Sequence, residues 1–198
     1  MPAAKRISKE AIIDAAAAVL RIGGFEAINA RSVAKALGCS TQPIYLSFRN
    51  MEELKSARTQ RAIEQHTQRV RESLLAHEGC DSRYSSYGMG FVQFAVQEKQ
   101  LFRWLYLEDN QPGRHQEDVL EPEIIRTVMD EFGYDEVTAR AFHRDMTYYS
   151  YGLAILANTG HLALTETELR EAFRREFRAL AAYVEAPEKV PVFREGEC

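Results

Sequence analysis

Apolar residues recur at helical spacing through most of the chain, and no alternating strand pattern competes with them. From Ile7 to Ile22 a face marked by Ile12, Ala15, Ala16, Val19 and Leu20 predicts a helix. Ser8 is its N-cap and Gly23-Gly24 its stop. Phe25 and Ile28 supply apolar anchors before a second start signal at Asn29. A short helix from Ala30 to Leu37 follows, with Val33, Ala34 and Leu37 on one side, and Gly38 ends it. Ser40 or Thr41 caps a third helix of about seven residues, ending near Ser47-Phe48. Asn50, with Glu53 three places on, spells a capping box for a fourth helix from Met51.

That fourth helix reads as continuous over 51–78 and breaks at Gly79-Cys80-Asp81-Ser82. Arg83 to about Gln97 is a further helix with Phe91, Phe94 and Ala95 turned inward. Lys99 to Leu107 is densely aromatic, and Glu108 to Asp118 is polar, contains Pro112-Gly113 and reads as a loop. Helices are predicted at about 119–132, 136–158 and 165–185, before Pro187 and a frayed tail at 188–198. Phe142, Met146, Tyr149, Leu153 and Leu156 form a 4-3-4-3 seam. Leu169, Phe173, Phe177, Leu180 and Val184 form a comparable one in the last helix. The fold class is all-α, about nine helices in number. Its domains are a helix-turn-helix head at 1–57 and a helical body at 58–187.

Charge sharpens this division. The chain is −4 overall, but residues 1–58 hold nine Lys/Arg against five Asp/Glu, a net +4, leaving −8 for residues 59–198. A basic head on an acidic body suits a protein whose one end meets phosphate. No apolar run reaches membrane-spanning length and no secretory signal pattern opens the chain, so a cytoplasmic protein is expected. Cys39, Cys80 and Cys198 are too far apart for a CxxC site, and the five histidines lack ligand spacing, so neither metal nor cofactor is expected. Nucleophile elbow, HExxH, P-loop and dinucleotide fingerprint are all missing, so the reading is a non-enzyme.

Two short helices around a glycine turn, with a supporting helix before them, spell helix-turn-helix. Over about residues 8–57 the order and spacing resemble the DNA-binding signature of the TetR family. The resemblance is carried by Ile12-Ile13-Asp14-Ala15-Ala16, Gly24-Phe25-Glu26-Ala27, Val33-Ala34-Lys35-Ala36-Leu37-Gly38, Ile44-Tyr45 and Phe48-Arg49-Asn50-Met51-Glu52-Glu53-Leu54. Groove geometry makes Thr41 and Gln42 the base readers, since a Gln amide can bond two edge atoms of adenine. Pro43 offers an apolar face to a thymine methyl. Tyr45 matches a family tyrosine that contacts phosphate, and Arg31, Ser32 and Ser40 are additional backbone contacts. Ala34, Leu37, Ile44 and Phe48 read as the small core. Two positions depart from the family pattern: Met51 stands where lysine is usual, and Pro43 is uncommon at its place.

The resemblance implies a homodimer on double-stranded DNA, released by a small-molecule effector that the sequence does not identify. Aromatic positions Phe91, Phe94, Phe102, Trp104, Tyr106, Tyr148 and Tyr151 are the candidate lining of the effector pocket. The last two helices would pair across a twofold axis, with Gly152, Ala154, Ala157, Ala179 and Ala182 permitting close approach. Two alternatives keep part of this architecture: a thiol-responsive regulator working through Cys39, and a dimeric scaffold that has lost DNA binding.

Overall fold

A computed structural model describes residues 7–76, 82–107 and 120–186. The chain runs through α1 (Lys9–Gly23), a 3-10 turn (Phe25–Ala27), α2 (Ala30–Leu37), α3 (Gln42–Ser47), α4 (Met51–Ala76) and α5 (Arg83–Gln97). It continues through α6 (Lys99–Phe102), a π-type turn (Arg103–Leu107), α7 (Glu121–Phe132), α8 (Glu136–Thr159) and α9 (Glu166–Glu185). These are nine α-helices and no strand among the described residues, so the fold is all-α as the periodicity requires. The expected break at 79–81, the loop at 108–118 and the frayed tail at 188–198 lie outside the described residues.

Two compact units divide the chain. Unit 1 comprises residues 1–68 and 94–114, and unit 2 comprises residues 69–93 and 115–198. Compactness thus divides the chain differently from a single cut after residue 57, because a later segment belongs with the N-terminal helices.

In unit 1 each helix start has a local cause. The Ser8 hydroxyl accepts the Ala11 amide at 3.1 Å, and α1 buries Ile12, Ala16 and Leu20. Asn29 Oδ1 accepts the amides of Arg31 and Ser32 at 3.1 and 3.0 Å, while Ser32 Oγ accepts the Asn29 amide at 3.1 Å. This reciprocal box opens α2. Gly38 closes it at φ +66°, a left-handed conformation that costs an L side chain roughly 1–2 kcal/mol. The capping expectation for α3 is corrected. Thr41 occupies the N-cap position, but its side chain makes no cap hydrogen bond, and Pro43, second in the helix, presets φ in the first turn instead. At α4 the Glu53 amide reaches Asn50 Oδ1 at 2.8 Å. The return arm from Glu53 Oε2 takes the Arg49 amide, not that of Asn50, at 2.8 Å. The expected box is therefore present in a form displaced by one residue.

The second segment of unit 1 is tied in by an aromatic stack and a charge cluster. The rings of Phe25 and Trp104 lie 3.9 Å apart and nearly parallel, at 13°. Glu98, which separates α5 from α6, hydrogen-bonds Arg21 through both carboxylate oxygens, and its Oε2 lies 3.9 Å from Arg58 Nη2. Arg58 is 3 % exposed and its Nε has no hydrogen-bond partner. Burial holds its guanidinium below the ordinary value, and Glu98 opposes that shift.

Unit 2 is built around aromatic rings. Phe132 and Phe142 lie 4.8 and 5.2 Å from Phe177, with Tyr84 a further 5.9 Å from Phe142. Asp135 caps α8 by accepting the Thr138 amide at 2.8 Å, and Thr165 opens α9 with a capping box to Glu168. Arg71 pairs with Glu123 at 2.7 Å, and Arg83 with Glu131 at 3.0 Å.

The expected seam of α8 is half right. Its buried stripe is Ala139, Phe142, Met146, Ser150, Ala154 and Asn158, while Leu156 is exposed. At about 3.6 residues per turn a 4-3-4-3 series drifts off a straight face. Ser150 tolerates burial because its hydroxyl donates to Met146 O at 2.8 Å.

Candidate nucleic-acid interface and ligand cavity

α3 is six residues long and spends Ile44, together with Phe48 just beyond its end, on the core of unit 1. Phe48 is fixed from outside as well, since Lys9 Nζ lies 4.7 Å above its ring centroid and 3.7 Å from Glu53. With those side chains turned inward, the opposite face of α3 faces solvent. Gln42 is exposed, Thr41 and Pro43 are half-buried, and Tyr45 is 60 % exposed. Ser40 and Arg31 are exposed beside it. The helix is thus held by its apolar positions and presents hydrogen-bonding groups outward, which is the arrangement a major-groove reader needs.

Ser32 is placed differently from the other expected contacts. Its hydroxyl lies 2.6 Å from Ala27 O and 2.9 Å from Asn29 O while accepting the Asn29 amide, so its bonding capacity is spent within the α2 cap. Leu46, which sequence reasoning passed over, is 79 % exposed next to Tyr45. The signal was available: two residues on from inward Ile44 is the far side of a helix. Arg49 is also exposed at the end of this segment, 3.5 Å from Glu53. The Arg49 amide bond holds the Glu53 carboxyl below its ordinary range.

Unit 2 contains a cavity of about 140 Å³ between residues of α5, α7, α8 and α9. Its apolar wall includes Tyr84, Met89, Phe132, Met146, Phe173 and Phe177. Gly88 lies at the wall because a Cβ there would come within 2.6 Å of the Phe173 ring. The Tyr84 hydroxyl is 3.0 Å from His143 Nδ1, and burial pushes that phenol far above its ordinary value.

None of the seven aromatic residues expected to line an effector pocket borders this cavity. Phe94, Phe102 and Tyr106 form a ring series in unit 1, at 6.3 and 4.9 Å, and Trp104 stacks on Phe25. Phe91 and Tyr151 meet at 4.7 Å in unit 2, and Tyr148 is 67 % exposed. The cavity was hidden because its lining comes from four helices and includes glycine and serine.

The small residues expected between subunits also separate. Ala154 is wholly buried within its own chain. Ala157 is half-buried. Gly152, Ala179 and Ala182 are exposed, as are Tyr148, Ile155, Leu156 and Tyr183 on the same two helices.

Two short helices, α2 and α3, joined across the Gly38 turn and preceded by α1, with Ile44 inward and Gln42 and Tyr45 outward, give unit 1 the helix-turn-helix arrangement of a DNA-binding domain. Residues 12–57, under a quarter of the chain, match the family described as bacterial regulatory proteins, tetR family. Among solved structures the chain is similar to the fatty acid degradation regulator FadR from Bacillus halodurans. The TM-score is 0.58 at 17 % identity, covering 87 % of this chain and 94 % of that one. It is similar also to a protein from Pseudomonas aeruginosa PAO1 described as a transcriptional regulator. There the TM-score is 0.58 at 16 % identity, covering 91 % and 89 % of the two chains. At these identities the likeness extends to the fold alone. A comparison with curated proteins gives no match. No helix among the described residues is long and apolar enough to cross a membrane, and no cluster there could hold a metal ion.

Proposed function

We propose that the protein is a ligand-responsive repressor that binds a palindromic operator as a homodimer and leaves it when a small molecule occupies the body. The observation that carries the reading is the outward face of α3, with Gln42 and Tyr45 exposed within a stretch, residues 1–58, of net charge +4. In this reading Thr41, Gln42 and Pro43 meet base edges, and Tyr45, Arg31 and Ser40 hold phosphates. Exposed Leu46 adds an apolar contact of the kind a thymine methyl accepts. Ser32 acts indirectly, by fixing the start of α2.

One short helix reads too few base pairs for useful selectivity, which motivates a dimer reading two half-sites about one DNA turn (roughly 34–36 Å) apart. The exposed apolar and small residues of α8 and α9 support those helices as the pairing surface. An effector acts only through its differential affinity for the bound and released dimers.

Selection of bound fragments from a random DNA library by the purified protein, at near-physiological salt, tests this. Recovery of a palindrome with half-sites one turn apart is the expected result, with affinity falling steeply as salt rises. Fragments no richer in any motif than the starting library would refute operator recognition.

A further inference from the structure

We infer that the cavity of unit 2 is a binding site for a compact aromatic carboxylate, its ring enclosed by the apolar wall and its anionic group held by Arg170 and Arg174. The inference rests on the ligand-responsive reading only for its consequence on DNA; the site itself stands on the following geometry.

Size sets the body of the ligand. About 140 Å³ compares with the roughly 150 Å³ of an engineered apolar cavity that binds benzene, so one ring fills the space. The wall supplies ring edges and faces from Tyr84, Phe132, Phe173 and Phe177, and thioethers from Met89 and Met146. These groups favour an aromatic guest through edge-to-face and sulfur–ring contacts.

Hydrogen-bond accounting sets the head group. Ser85 Oγ donates to Ser82 O, Thr147 Oγ to His143 O, and Ser150 Oγ to Met146 O, each at 2.8 Å. Those three lining hydroxyls have spent their protons on backbone carbonyls and can offer a guest only lone pairs. The cations of the lining are Arg170 and Arg174, one turn apart on α9. Among the described residues no Asp or Glu borders the cavity, although unit 2 as a whole carries twelve Lys/Arg against twenty Asp/Glu. The positive lining is therefore local and runs against the charge of its surroundings.

Both guanidiniums also pair along their own helix, Arg170 with Glu166 at 2.9 Å and Arg174 with Glu171 at 2.8 Å. The partner carboxylates are 66 % and 64 % exposed, and such intrahelical surface pairs are worth little. A carboxylate on the ring, able to take parallel N–H bonds from a planar guanidinium, competes favourably with these two surface pairs.

The test is calorimetric titration of the full-length protein with benzoate, benzyl alcohol and benzylamine at equal ionic strength and pH 7. Benzoate should bind at least tenfold more tightly than the alcohol, with the amine weakest. In the double variant Arg170→Met/Arg174→Met that preference should vanish while benzyl alcohol binds within twofold of its original affinity, which also reports an intact cavity. The paired lysine variant should recover part of the preference. Equal affinity for acid and alcohol, an undiminished preference in the double variant, or no binding by any probe overturns the assignment. DNA affinity is measured separately with and without benzoate. Arginine-dependent binding that leaves DNA affinity unchanged refutes release by this ligand and supports the site, whereas operator selection without probe binding refutes the site alone.

Discussion

Replacing Gly88 by alanine isolates one packing contact in unit 2. Gly88 lies inside α5, where alanine is ordinarily favoured over glycine by about 1 kcal/mol. An added Cβ, however, would stand 2.6, 2.9 and 3.3 Å from three carbons of the Phe173 ring. That ring is itself 3 % exposed and held edge-on by Tyr149 at 5.8 Å, so it cannot swing away cheaply. Overpacking of this kind costs roughly 1–3 kcal/mol, which outweighs the propensity gain and leaves a net loss of about 1 kcal/mol. In a chain of this size that lowers the thermal midpoint by about 2–4 °C. Urea unfolding followed by circular dichroism measures it directly. In a Phe173→Leu background the Gly88→Ala penalty should shrink or change sign, since the opposing ring is gone. A Gly88→Ala variant as stable as the parent, or a penalty unchanged by Phe173→Leu, would show that the contact does not limit packing here.

Other outcomes follow from the same coordinates. Gln42→Ala should weaken binding selectively at one base position, by roughly 1–3 kcal/mol, whereas Tyr45→Phe should weaken binding to all sequences alike. Competition with single-base operator variants separates the two, and identical profiles would refute the division of roles. Ile155→Glu, on the exposed face of α8, should convert a dimer to monomers in sedimentation without altering helix content. Asp135 accepts the Thr138 amide and its carboxyl is thereby held below its ordinary value of 3.8. Its contribution to stability is therefore complete above that value and lost as pH falls through the lowered folded value. Asp135→Asn keeps a capping oxygen but should flatten this acid dependence of the urea midpoint.

The helix-turn-helix was legible because its signals are local. Ser8, Asn29, Gly38, Pro43 and Asn50 each act on a neighbour within a few residues, and Ile44 and Phe48 define an inward face that leaves Gln42 and Tyr45 outside. The body was legible as helices but not as a site. Its cavity depends on Gly88 of α5, Ser150 of α8 and the Arg170/Arg174 pair of α9 meeting across helices, and no spacing within one helix encodes such a meeting. The partner of Trp104 was hidden for the same reason: it sits in a dense apolar run, yet its ring stacks on Phe25, seventy-nine positions earlier. Ser150 and Asn158 are buried polar residues that a seam drawn from apolar positions alone does not include.

The interleaving of the two compact units has a consequence for how such a chain can be dissected. A fragment cut after residue 57 keeps the recognition helix but loses Arg58, and with residues 94–114 it loses Glu98, Phe102 and Trp104. Phe25 would then expose the ring face that Trp104 covers, and Arg21 would lose its carboxylate. Grafting this head onto another body therefore means transplanting two stretches of sequence together. Variation in this chain is constrained likewise: a change at Trp104 or Glu98 is a change to the DNA-binding unit, although neither lies near the reading helix in the sequence.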